Sequence, residues 1–103
     1  MRTVIELPEF HKKVDKLFGE TERERIVELL STNPTAGKKL ENLGGIRRLE
    51  WIEYGKKPKE HNIYYYAGSN KLPLGIIAIF RKNEKMILDK LIEILLHSKV
   101  NQV

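Results

Sequence analysis

Asn62-Ile63-Tyr64-Tyr65-Tyr66-Ala67, then Gly68-Ser69-Asn70, then Leu72-Pro73-Leu74-Gly75-Ile76-Ile77-Ala78-Ile79-Phe80 is the stretch that decides the fold. β-Branched and aromatic residues fill both apolar runs, the composition that suits a pleated, half-buried surface. The Gly-Ser-Asn between them is a turn signal. Residues 62–67 and 72–80 therefore read as two strands joined by a short connection, the second most buried at 76–80. Working backward, Ile46-Arg47-Arg48-Leu49-Glu50-Trp51-Ile52-Glu53-Tyr54 reads as another strand, with imperfect alternation. Gly44-Gly45 leads into it as a turn or a close backbone approach. Gly55-Lys56-Lys57-Pro58-Lys59 leaves it as a basic connection. Three strands in a row with short connections predict an antiparallel meander.

The flanks are helical. Residues 2–7 read as a short first strand, and Pro8 suits the first turn of a helix. Phe10, Val14, Leu17 and Phe18 share one helical face, and Gly19 stops the helix. Thr21 with Glu24 reads as a capping box for a second helix, whose Ile26, Val27, Leu29 and Leu30 face the core. Asn33-Pro34 closes it. A final helix starts at Lys85 or Met86 and runs to about His97. Its apolar residues are more than one face needs. Leu88, Leu91, Ile92 and Leu95 read as its core stripe, with Ile87, Ile94 and Val100 to spare for a partner. Asn83 is a candidate N-cap at its entry. The order is β-α-α-β-β-β-α: an α+β domain with a small antiparallel sheet, two N-terminal helices and a C-terminal helix, the helices on one face.

The chain has 103 residues, 41% hydrophobic and 32% charged, enough for one domain over 1–103 with a modest core. It contains no cysteine, so neither a disulfide framework nor a thiolate metal site is available. The apolar run 75–80 is far short of a membrane span, and no signal-like apolar stretch opens the chain. The expectation is a cytoplasmic protein with no membrane partner. Between Lys38 and Lys85 stand eleven basic residues against five acidic ones, a net +6 in a chain whose total is +5. Such a concentrated excess suits a polyanion, and equally a solvated lysine-rich surface.

Most reaction chemistries lack their residues. His11, His61 and His97 lie on three different elements without ligand spacing, so no metal is expected. No nucleophile elbow occurs, and Gly44-Gly45 is not followed by the Lys-Ser/Thr of a phosphate loop. The few acids of the middle segment sit among lysines and arginines, which argues against a glycosidase pair. No cofactor is expected. What remains is a basic groove with aromatics. Arg47 and Arg48 point to opposite faces of their strand, as do Tyr64 and Tyr65. A tyrosine beside arginines can stack a base, or it can be an ordinary half-buried strand aromatic.

Five pieces occur in order: Asn33-Pro34-x-x-Gly37, Gly44-Gly45-Ile46-Arg47-Arg48-x-x-Trp51, Gly55-Lys56-Lys57, Ile63-Tyr64-Tyr65-Tyr66 and Lys82-Asn83-Glu84. Together they resemble the RelE/HigB toxins of type II toxin–antitoxin systems. The resemblance implies a RelE-like fold, a ribosome-dependent endonuclease acting on mRNA without metal, and a cognate antitoxin protein as partner. It places Lys82, Arg47 and Arg48 as catalytic residues. His61 joins them because it stands where that family usually has an arginine, and it is the one group of ordinary pKa near neutrality. Lys56, Lys57, Lys59, Arg81 and Tyr65 are the expected RNA-binding residues. A same-fold binding protein that does not cut, acting on another target as the ParE branch does on DNA gyrase, is the alternative.

Overall fold

The computed structural model describes residues 2–53, 58–69 and 71–101, apart from the side chains of 98–101. The elements are β1 (Val4–Glu6), α1 (Pro8–Leu17), α2 (Glu20–Thr32), β2 (Lys38–Lys39), β3 (Ile46–Glu53), β4 (Lys59–Tyr66), β5 (Leu74–Arg81) and α3 (Ile87–Asn101). They build an α+β domain on one five-stranded sheet of order β1-β5-β4-β3-β2.

The meander is present: β3, β4 and β5 pair antiparallel in turn. The sheet as a whole is mixed, not antiparallel, because β1 pairs in parallel with β5 through Val4↔Leu74 and Glu6↔Ile76. Everything between these strands serves as the long crossover that a parallel pair requires. β2 was not expected. It is two lysines long, pairs with Arg47 and Arg48, and carries no strand-like side chain to announce it.

The helices do not share one face of the sheet. Phe10 and Val14 of α1 with Ile26 and Leu30 of α2 pack on Leu49, Ile63, Tyr65, Leu74, Ile76 and Ile79. On the opposite face, Leu91 of α3 packs with Tyr64, Ile77, Ala78 and Phe80. The cause is in the central strands, which are apolar on both faces and would otherwise leave one of them wet. A bulge sharpens this. Tyr64 pairs with Ala78 and Tyr65 with Ile76, so Ile77 has no partner and turns with Ala78 toward α3.

Two local readings change. The cap of α2 is Gly19, at φ 85°, with no side-chain hydrogen bond; Thr21 lies inside the helix rather than before it. Asn83 sits in a turn closed by Glu84 N–H donating to Arg81 O, and α3 begins only at Ile87. The stripe of α3 that packs is Ile87, Leu91, Ile94 and Leu95. Leu88, Ile92 and Leu96 face solvent at 49%, 47% and 57% exposure, so Ile94 belongs to the core and Ile92 does not. Val100 lies among the side chains outside the described set. Among the described residues no helix is long and apolar enough to cross a membrane.

Candidate nucleic-acid interface

The turn after β5 returns to β4: Lys82 N–H donates to Glu60 O, and His61 pairs across the strands with Arg81. These contacts bring the ends of two strands together beside the C-terminal end of α1. The result is an open cleft of about 700 Å³ lined by Leu17, Lys59, His61, Arg81 and Lys82, among others. Four of the residues singled out from the sequence meet here. Lys59 and Arg81 are exposed. The Lys82 side chain is 63% exposed, and its ammonium lies 3.4 Å from the Glu60 carboxylate. Such an exposed pair is worth little, so a phosphate can displace Glu60 at small cost.

His61 is the buried member, 5% exposed. Phe18 meets its ring edge-on, with the centroids 5.0 Å apart. Its Nδ1 is buried without a hydrogen-bond partner, which leaves Nε2 as the nitrogen available to the cleft. Burial holds the His61 pKa below the ordinary value of 6.5, and the Lys13, Arg81 and Lys59 cations push it the same way against a smaller opposing pull from Glu53. The imidazole is therefore neutral near pH 7. A neutral ring can accept a proton or a hydrogen bond; it cannot serve as a charged phosphate ligand.

The other sequence candidates are elsewhere. Tyr65 is fully buried, so it cannot stack a base. Its hydroxyl accepts from Gly37 N–H and donates to Pro34 O, each at 2.8 Å. Arg47 lies on the same face and donates to Gly37 O at 2.8 Å. The Asn33-Pro34-x-x-Gly37 piece, Arg47 and Tyr65 thus close on one another as a structural staple. Gly37 has no alternative there, since a Cβ would come within 2.8 Å of the Tyr65 ring and 2.9 Å of the Arg48 backbone. Trp51 has a similar role, donating from Nε1 to Glu22 Oε1 of α2 at 2.8 Å.

Arg48 is on the α3 face, opposite Tyr64. Burial pushes the Tyr64 phenol pKa up, and the Arg48 charge beside it opposes that shift. Lys82 pairs with Glu60, four residues along β4 from Tyr64. Four residues of strand span about 13 Å, so Arg48 and Lys82 stand at two ends of a strip rather than in one pocket. Lys56 and Lys57 lie outside the described residues. The sequence reading missed Lys13, the foremost of the cations that push the His61 pKa down. Its i+3 spacing from the core residue Phe10 was the available signal.

Among the described residues no three His, Cys, Asp or Glu side chains are grouped to hold a metal ion. No protein-family model matches the chain, and no curated protein matches it either.

Proposed function

We propose that the chain is a RelE/HigB-like toxin whose cleft at the ends of β4 and β5 binds RNA and cuts it without a metal. The observation that carries the reading is the convergence of Lys59, Arg81 and Lys82 on a largely buried histidine that lines the same cleft. In the reaction, the substrate's 2′-oxygen forms a bond to the adjacent phosphorus while the bond to the 5′-oxygen breaks. The products carry a 2′,3′-cyclic phosphate and a 5′-hydroxyl. Neutral His61 accepts the 2′-OH proton at Nε2. Arg81 offers a planar fork to the phosphate oxygens. Lys82 neutralises the developing charge and returns a proton to the departing oxygen. Lys59 positions the neighbouring backbone. Ribosome-held mRNA as the substrate and a neutralising antitoxin as the partner follow from the resemblance of sequence pieces.

A second reading, binding without cutting, has its own support. Arg47 is committed to Gly37 O, and Arg48 stands at the far end of the strip from Lys82. Two arginines that a cutting site would use are thus absent from the cleft.

One experiment separates the two. Wild type and Lys82→Ala are induced without antitoxin, and mRNA 5′ ends and DNA replication are followed. Ribosome-dependent new 5′ ends from the wild type, lost in folded Lys82→Ala, support cutting. A replication block without new ends supports the second reading. Undiminished cleavage by Lys82→Ala overturns the assignment of the cleft.

A further inference from the structure

A second cleft, of about 550 Å³, opens between α1 and α3 with Phe80 as its floor. Three segments line both clefts. From α1, Leu17 lines the first, and Lys13, one turn earlier on the same side of the helix, lines the second. From β5, Arg81 lines the first and its neighbour Phe80 the second. From the turn that follows, Asn83 lines the first and Glu84 the second. The two clefts are therefore consecutive parts of one seam between α1 and the β5–α3 turn.

Lys13 is the cation of this seam that bears most on the first cleft. Its charge acts on His61 ahead of those of Arg81 and Lys59. Its Nζ lies 4.6 Å from the Phe80 ring centroid. An aromatic face favours an ammonium there but leaves its N–H donors without an oxygen acceptor. Lys13 has no carboxylate within ion-pair distance among the described residues. Burial lowers its amine from the ordinary value of 10.5; Glu84 and Glu9 oppose that shift, and Lys90 and Arg81 add to it. Glu84 is itself hydrogen-bonded to Lys90. Lys13 is thus a half-buried ammonium, held against a ring, with no anion beside it. The outer part of the seam, with Glu9, Lys12, Lys90 and Glu93, is mixed in charge. The cationic stretch is Lys59, Arg81, Lys82 and then Lys13.

A backbone phosphate supplies the missing acceptor, since an ammonium bonds phosphate oxygens through charge-assisted hydrogen bonds. The turn of α1 between Lys13 and Leu17 rises about 6 Å, the scale of one nucleotide step. We infer that Lys13 is a further RNA-binding residue: its ammonium holds a phosphate next to the one bound in the first cleft, so that the strand runs along the seam between α1 and the β5–α3 turn. This rests on the RNA reading of the first cleft. It adds the direction of the strand, and it requires RNA that continues past the cleft along α1. Lys13 acts by binding and positioning; the reacting atoms stay with His61, Arg81 and Lys82.

The test measures binding of a single-stranded RNA decamer, 2′-O-methylated so that it is not cut, by wild type and variants over a range of salt. Each phosphate neutralised on a single strand contributes about 0.7 to the slope of log affinity against log salt. Lys13→Gln should lower the slope by that amount and weaken binding several-fold at low salt, with an unchanged circular dichroism spectrum. Lys13→Arg keeps the charge and should restore both. Lys71→Gln removes an exposed lysine near the opposite end of β5 and should leave the slope as in wild type. Three results would overturn the inference and leave the RNA reading standing: a slope lowered by Lys82→Gln but not by Lys13→Gln, an equal loss in Lys71→Gln, or no restoration by Lys13→Arg. Wild-type protein that does not bind the decamer, or binds it without salt dependence, would remove the RNA reading and this inference with it.

Discussion

Tyr65→Phe removes one oxygen atom and tests the staple directly. That oxygen accepts from Gly37 N–H and donates to Pro34 O, both at 2.8 Å, from a ring that is fully buried. Phenylalanine fills the same ring volume, so packing is kept and only polar partners are lost. Gly37 is buried and its N–H is left without an acceptor, at a cost of about 1–3 kcal/mol. Pro34 is half exposed, so water can serve its carbonyl and that loss is nearer 0.5–1 kcal/mol, within the range of a net hydrogen bond. The sum is about 1.5–4 kcal/mol, a sizeable part of the roughly 5–15 kcal/mol typical of a domain. For a domain of this length it lowers Tm by roughly 6–30 °C. Urea and thermal unfolding followed by circular dichroism measure it. A base-stacking tyrosine would lose nothing on this change. A loss below about 0.5 kcal/mol would therefore refute the staple and return Tyr65 to the surface.

Arg47→Ala should destabilise by about 1–2 kcal/mol through the lost bond to Gly37 O, while Arg48→Ala shifts the urea midpoint far less. His61 is protonated more readily in the unfolded chain than in the folded one. Stability should therefore fall as pH drops below about 6.5 toward the depressed folded value. His61→Phe should lack that part of the decline, so a stability difference between the two proteins that stays constant from about pH 8 to 5 would contradict the burial effect. Ile94→Glu should unfold the domain and Ile92→Glu should leave it folded, because only the first packs on the sheet; circular dichroism of the two variants distinguishes them.

Much of the fold was legible because it is written in short range. The Tyr-rich run, the Gly-Ser-Asn turn and the apolar run 74–80 specify a hairpin through local composition, and Pro8 and Asn33-Pro34 mark helix ends through backbone chemistry. Long-range choices were not legible. Nothing local tells β1 to join β5 in parallel, or α3 to take the opposite face from α1 and α2. The apolar positions of α3 fit two stripes, and the Ile77 bulge helped decide between them by supplying a partner on its own face. At the candidate site, Lys82, Arg81 and Lys59 were found by charge and His61 by its place. Arg47 and Tyr65 lie outside that cleft, and the motif that contains them closes on the 34–37 backbone through hydrogen bonds.

The pairing of β1 with β5 has a consequence for synthesis. Val4 must find Leu74, seventy residues later in the chain, whereas the β3–β4 hairpin joins Glu53 to Lys59. Closing the longer loop costs about 2 kcal/mol more in chain entropy. A chain made from its N-terminus exposes the first strand early and supplies the neighbour of that strand almost last. Through most of translation Ile5 and its flanking amides have no sheet to join, and α1 has no β5 edge to cover. The meander is complete only when β5 has left the ribosome, and β1 cannot pair with it before then. The first strand to be made waits for the last.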